Sequence, residues 1–235
     1  MTDPENHIQA TRNGWLVDCD IDRHDPAAVA TALNLASATI AAKGGGRAEF
    51  WIYSVTESDD AGPEQAGFKP YRDLFQLRMP LPAAASTLST RPFSSADSAA
   101  FLEVNNRAFA WHPEQGGMTQ RDLDAKRGED WFDPSGFLLY EVADQLAGFC
   151  WTRVHHDEDP SVGEIYAIAI DPAFHGQGLG APMTLAGLDQ LFTAGLEVAM
   201  LYVESDNAAA NATYERIGFK RHMINRAYQR EIAAV

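Results

Sequence analysis

Only two cysteines, Cys19 and Cys150, occur in the 235 residues. Two thiols alone build neither a disulfide framework nor a zinc site, so the chain reads as a reduced, cytoplasmic protein. Basic residues are scarce too: 18 Lys and Arg stand against 33 Asp and Glu, a formal charge of −15. A general nucleic-acid binder needs a basic footprint, and an anionic membrane surface repels this balance, so neither partner is expected. No run of about 18 apolar residues is present to form a spanning helix. The opening MTDPENHIQ has neither a basic stretch nor an apolar core and does not read as a secretory signal. Seven histidines are scattered, and the adjacent His155 and His156 cannot share a helical face, so no metal site is expected.

What remains is an ordinary globular composition, 46% hydrophobic, long enough for one large domain or two small ones. Punctuation is densest at Met79–Pro92, MPLPAAASTLSTRP, which carries three prolines, small residues and no apolar period. Such stretches mark linkers. The expected division is an N-terminal lobe at 1–80, a linker at 81–91 and a full domain at 92–235.

The two pieces share a pattern. Asp171 and Tyr202 are 31 positions apart, and so are Asp22 and Tyr53. Each pair brackets a helix-like run that leads into a strand-like one. Gly218-Phe219-Lys220 closes the second copy, and Gly67-Phe68-Lys69 closes the first. Duplication is the better reading of this coincidence, with the first copy starting halfway. In the second piece, Ser94–Ala110, Met183–Phe192 and Asn207–Ile217 carry helical spacing. Phe137–Val142 and Ala147–Val154 read as a hairpin through Asp144-Gln145. Glu164–Ile170 is apolar on both faces and reads as a central strand, with Glu197–Val203 and Phe219 to about Tyr228 as further strands. Helices alternating with strands predict an α/β, or mixed α+β, sheet with helices on its faces.

The most informative segment is Asp171-Pro-Ala-Phe-His175-Gly-Gln-Gly178-Leu-Gly180-Ala-Pro-Met. A strand ends, a glycine-rich turn follows, and a helix starts. Free backbone N–H groups and the positive end of a helix dipole then converge on one point, an anion site made of main chain. The spacing fits neither Walker A nor GxGxxG. From the glycines alone, a tight turn with no ligand remains open.

The segment from His175 to Gly180 resembles the acyl-CoA pyrophosphate loop of the GNAT N-acetyltransferases, whose usual form is Gln/Arg-x-x-Gly-x-Gly/Ala. The likeness extends from Ser89 to about Tyr228, through Met200–Val203, Asn207, Tyr214 and Gly218-Phe219. Within that family the sequence is most similar to the mycothiol synthases of mycothiol biosynthesis. The segments that carry this are Val104-Asn-Asn-Arg-Ala-Phe-Ala-Trp-His112-Pro-Glu114-Gln-Gly116, Trp131–Gly136, Phe149–His155, Gly163–Tyr166 and Leu201–Asn207. The resemblance implies the GNAT acyl-CoA fold, with a complete C-terminal domain and a partial, degenerate N-terminal lobe from two tandem GNAT domains. It implies a transferase with acetyl-CoA as co-substrate and a small-molecule amine as acceptor, the cysteinyl amine of a cysteinyl-glucosaminyl-inositol. Attack would be direct, in a ternary complex.

By the same resemblance Glu164 is the general base and Tyr214 the acid that protonates the departing thiolate. Ile168, Ala169 and Ile170 hold the thioester and pantetheine through main-chain groups. His175, Gly176, Gln177, Gly178, Leu179, Gly180 and Ala181 cradle the pyrophosphate. Asn207, Ala208, Ala209, Ala210, Asn211 and Ala212 border the coenzyme. Glu114, Arg153, Glu164 and Tyr202 hold the acceptor, whereas His112 and His155 are read as structural or substrate-bordering. His175 stands where Gln or Arg is usual, Arg153 replaces Lys, and the first lobe has no glycine in Asp22-Arg-His-Asp-Pro, so it should not bind acyl-CoA. The alternatives are a diverged GNAT enzyme for another amine and a non-catalytic acyl-CoA-binding protein.

Between Arg153 and Arg216 there is no Lys or Arg, while ten acids lie there. Backbone amides must therefore lead coenzyme binding, with Lys126, Arg127, Arg216 or Lys220 reaching it only from elsewhere in the fold. The acidity suits a cationic acceptor. A monomer is expected. An open sheet edge near Phe50–Val55 of the first lobe is expected to pair within the chain, because the linker is short, and a dimer through that edge is the alternative.

Overall fold

The computed structural model describes residues 8–110 and 116–235. Along them run β1 (Ile8–Thr11), β2 (Gly14–Val17), α1 (Pro26–Ala42), β3 (Gly46–Ile52), α2 (Ala61–Gln65), β4 (Lys69–Pro80) and β5 (Arg91–Pro92). Then come α3 (Ser98–Ala108), α4 (Gln120–Arg127), β6 (Phe137–Val142), β7 (Gln145–His155) and β8 (Val162–Ile170). The chain closes with α5 (Gly180–Thr193), β9 (Val198–Glu204), α6 (Ala208–Ile217) and β10 (Lys220–Ile232). The helices and strands expected from the sequence are present with small shifts at their ends, and the segment from Phe219 onward forms one long strand. None of the described helices is long and apolar enough to cross a membrane.

Contacts gather the chain into two units. The first holds Met1–Gln76, Glu204–Asp206 and Arg221–Val235, and the second holds Leu77–Val203 and Asn207–Lys220. The last strand, placed with 92–235 by the sequence reading, therefore lies with the N-terminal lobe. Pairing is the reason: β10 runs antiparallel to β3, with Arg226–Ile232 opposite Ile52–Gly46. β2 pairs with the other side of β3, in parallel. The edge near Phe50–Val55 is therefore paired within the chain, as expected, on both sides at Phe50. At Val55 the backbone N–H donates to the carbonyl of Ile224 at 2.8 Å.

In the first unit, Asp25 caps α1 by accepting from the N–H groups of Ala27 and Ala28, and Pro26 suits the first helical position. Val29, Leu33, Ala36 and Ile40 lie on one helical face and are buried with Ala48, Phe50 and Ile52, the alternate residues of β3. Phe68 and Tyr228 complete this core.

The second unit has a sheet ordered β9-β8-β7-β6-β5, in which β8 pairs antiparallel with β7 and parallel with β9. Its core is aromatic. Phe137 stacks on Phe93 and on Trp151, each at 4.4 Å, and Phe101 from α3 meets Phe137 and Phe149 edge-on at 4.9 and 4.8 Å. On α5, a Cβ at Gly187 would lie 2.4 Å from the Cys150 sulfur and 2.6 Å from Ile165, so glycine there lets the helix seat closely on β7 and β8.

Of residues 81–91, read as a linker, Arg91 begins β5, and the rest form no helix or strand but are fastened within this unit. The Leu81 N–H donates to the Glu197 carbonyl at 2.8 Å. Ser86 donates through its N–H to Asp189 at 2.9 Å and through its hydroxyl to the Pro182 carbonyl at 2.7 Å.

Candidate active site

The site is built on β8. Trp151 of β7 faces Ala167, but the next residue, Thr152, faces Ile165, leaving Tyr166 as an extra residue in a β-bulge. On its other side, β8 is in register with β9 only from Gly163 to Ile165, opposite Ala199–Leu201. Beyond that point a cavity of about 490 Å³ opens beside the end of β8. Ile168, Ala169 and Ile170 line it, together with the turn before α5, the first turn of α6 and Tyr214.

Two helix starts converge here. Leu179, the residue before α5, makes no side-chain cap bond, and Pro182 falls in the first turn, where its missing N–H costs nothing. The N–H groups of Gly176 to Leu179 donate to no described residue. Gly176 and Gly178 have φ of +77° and +73°, which glycine adopts without strain. The turn thus offers open amides and the positive end of a 14-residue helix to an anion. Asn207 caps α6 by accepting from the Ala210 N–H.

His175 points back rather than outward. Its Nε2 lies 2.9 Å from the Ile170 carbonyl oxygen, which can only accept, so the ring donates and ties the turn to the strand. Asp171 fixes the other side by accepting from the Ala173 N–H at 2.9 Å and from Arg107 Nε at 3.2 Å. Burial pushes the Asp171 carboxyl up, but the Arg107 guanidinium and the Ala173 amide outweigh it and hold the group below the usual carboxylate range.

Arg107 was not among the bases expected near the loop. It lies on α3 directly before Ala108 and Phe109, which line the cavity, and its side chain is 52% exposed. The bases that were expected are engaged elsewhere or do not line the cavity. Lys126 sits over the Tyr166 ring, Arg127 bonds to Ser95, Arg216 folds back onto Ala212, and Lys220 is not among the lining residues.

Of the sequence-derived coenzyme residues, Ile168, Ala169, Ile170, His175, Gly176, Gly178, Leu179, Gly180, Asn207, Ala209 and Ala210 meet at the cavity. Gln177, Ala181, Ala208, Asn211 and Ala212 are on the same turn and helix but do not line it. Tyr214 does, and its ring packs edge-on against Phe219 at 5.8 Å. Burial, with a smaller push from Cys150, raises its phenol well above the ordinary tyrosine range, so it stays protonated at neutral pH.

Glu164, Arg153 and Tyr202 lie outside the lining. Glu164 is buried in β8, on the far side of the bulge from Ile168, with Arg153 of β7 directly opposite in register. The Arg153 guanidinium stacks over Trp131 at 4.9 Å, and its buried Nε has no partner among the described residues. Tyr202 is 39% exposed on β9. Glu114 and His112 fall outside the described residues. His155, set aside in the sequence reading, lies beside Glu164, with Nε2 2.7 Å from Oε2. A spacing of nine residues hides a contact that the β7–β8 pairing creates.

A bulged central strand, a splayed β8–β9 pair and a helix start without a side-chain cap thus surround one cavity. The sequence profile described as the acetyltransferase (GNAT) family matches residues 101–219, and the chain belongs to that family. Its curated relatives include the mycothiol acetyltransferase of Nocardia farcinica, 43% identical over 80% of this chain and 65% of that protein. The mycothiol acetyltransferases of Streptomyces coelicolor and Rhodococcus jostii are 44% and 41% identical, over 84% and 82% of this chain and 65% and 68% of theirs. The chain thus spans about 65% of the length of the first of these relatives. Among solved structures, a GCN5-related N-acetyltransferase from Sphaerobacter thermophilus has the same fold, with a TM-score of 0.69 at 20% identity over 83% of this chain and 62% of that one. A tandem GNAT protein from the clavulanic acid biosynthesis pathway matches over 94% of this chain and 76% of that one, with a TM-score of 0.64 at 14% identity.

Proposed function

We propose that this protein is an acetyl-CoA-dependent N-acetyltransferase whose acceptor is the cysteinyl amine of a cysteinyl-glucosaminyl-inositol, the mycothiol precursor. The catalytic machinery belongs to the second unit, and the N-terminal lobe is a degenerate copy of the same domain. The observation that carries the reading is the cavity at the end of β8, where open amides and Tyr214 meet.

Amides of the turn before α5 hold the pyrophosphate. The main chain of Ile168–Ile170 receives the pantetheine and the thioester beside the splayed end of β8. Glu164 takes a proton from the acceptor ammonium, and its place outside the cavity lining favours transfer through a water. The neutral amine then attacks the thioester carbonyl directly. The C–N bond forms, the C–S bond breaks, the buried Tyr214 hydroxyl gives its proton to the leaving thiolate, and the extra proton on the acylated nitrogen restores the phenol. The unpartnered Arg153 Nε beside Trp131 suits an acceptor hydroxyl, and Glu114 and Tyr202 are the remaining acceptor contacts.

In the first lobe, α1, β3, α2, Gly67 and β4 repeat the order of α5, β9, α6, Gly218 and β10, and both glycines have positive φ. This supports a duplicated origin. The lobe carries no glycine turn, so it should hold no coenzyme.

The test is release of CoA thiol from acetyl-CoA with the cysteinyl-glucosaminyl-inositol, beside a panel of other small amines. Turnover with the mycothiol precursor at a kcat/KM well above the panel is expected. Turnover only with an unrelated amine would replace the acceptor, and acetyl-CoA binding without turnover on any amine would remove the enzymatic reading.

A further inference from the structure

We propose that His155 is a positioning residue for Glu164: it holds the carboxylate in one rotamer and leaves the second oxygen to face the acceptor. This inference rests on the reading of Glu164 as the base.

The ring and the carboxylate meet at 2.7 Å, Nε2 to Oε2, and both side chains are largely buried, 15% and 9% exposed. An ionised carboxylate only accepts, so His155 Nε2 carries the hydrogen and donates it. The two groups stand on adjacent strands, His155 opposite Val162 and Arg153 opposite Glu164. A hydrogen bond between them therefore spans the ladder diagonally and fixes a side chain that would otherwise rotate about three bonds. The other ring nitrogen, Nδ1, lies 3.9 Å from the solvent-exposed Asp157, too long for a hydrogen bond, so the bond from Nε2 is the one that ties the ring to a carboxylate. Across β8, the β9 residue in register with Glu164 is Met200, which offers no competing donor. Among the described residues, His155 is the one side chain that grips the Glu164 carboxylate.

The geometry leaves Oε1 free of His155. That oxygen takes the acceptor proton, and Oε2 keeps its bond to the imidazole before and after the transfer. His155 itself neither gains nor loses a proton in the step.

Two variants of similar polarity separate positioning from packing. His155→Gln places an amide N–H where Nε2 stands, whereas His155→Asn ends one methylene short of the carboxylate. Initial rates of CoA release are measured with the best acceptor in the amine panel, and acetyl-CoA affinity is measured by calorimetry. His155→Asn should lower kcat about tenfold or more with acetyl-CoA affinity and KM unchanged, and His155→Gln should stay within about threefold of the parent. Equal rates in both variants, whether high or low, would overturn the positioning role. Glu164→Gln in the same assay keeps the two readings apart. If it is inactive while His155→Asn is fully active, only the positioning role falls. If it is as active as the parent, or no amine is turned over, the base assignment fails and takes this inference with it.

Discussion

In the proposed reaction Tyr214 must keep its proton until the thiolate leaves, and its burial, with the ring against Phe219, favours this by disfavouring the phenolate. Tyr214→Phe removes the proton and little volume. It should lower kcat by about 10²-fold while acetyl-CoA affinity stays within about twofold, as read by steady-state rates and calorimetry. Single residues were legible in the sequence where a motif fixed them. Tyr214 follows Asn207 by two helical turns, and the glycines of the turn announce themselves by spacing. His155 and Arg107 were not legible. Each acts through a partner distant in the chain, Glu164 on the next strand and Asp171 at the end of β8, and no local pattern encodes such a pair.

The turn after β8 works as an element because both of its flanks are pinned, by His175 on the Ile170 carbonyl and by Arg107 on Asp171. Arg107 also places a half-exposed positive charge beside a cavity whose described lining contains no Lys or Arg. Arg107→Ala should raise the KM for acetyl-CoA about five- to tenfold, with a smaller effect on kcat, and the loss should shrink in high salt. The start of α3 is held in a similar way. Asp97 accepts from Arg91 at 2.9 and 2.7 Å and from the Ser94 N–H and hydroxyl. The Arg91 bonds lead, burial opposes them, and the Asp97 carboxyl falls to about 2. A depressed carboxyl contributes stability that is present above its unfolded value, about 4, and lost as pH falls through about 2. Asp97→Asn should therefore cost about 1–2 kcal/mol at neutral pH, after allowance for the half-exposed Arg91, and progressively less as pH falls from about 4 through about 2, as read by urea unfolding across pH. The elements themselves were legible because helical and alternating periods are local. The bulge at Tyr166 was not, since an extra residue in one strand shows only against its partner.

At the scale of the whole chain, the sequence signalled two pieces but put the last strand with the wrong one. Apolar alternation in Lys220–Ile232 says that it is a strand and is silent about its neighbour, whereas the register with β3 assigns it to the first unit. Tyr228 on that strand is fully buried in the first core, and its hydroxyl donates to Asp60 at 2.5 Å. Deleting Arg221–Val235 should consequently unfold the first unit, seen as a loss of far-UV ellipticity and of Trp15 and Trp51 fluorescence signatures. The charge of −15 bears on the proposed reaction at the same scale: the acid-rich segment between Arg153 and Arg216 would leave coenzyme binding to amides and offer the acceptor a carboxylate. The most direct test of that account is the rate of acetyl transfer by Glu164→Gln set beside its affinity for acetyl-CoA. The account predicts a fall in kcat of about 10²-fold or more with affinity unchanged. A variant that transfers acetyl as fast as the parent would contradict it.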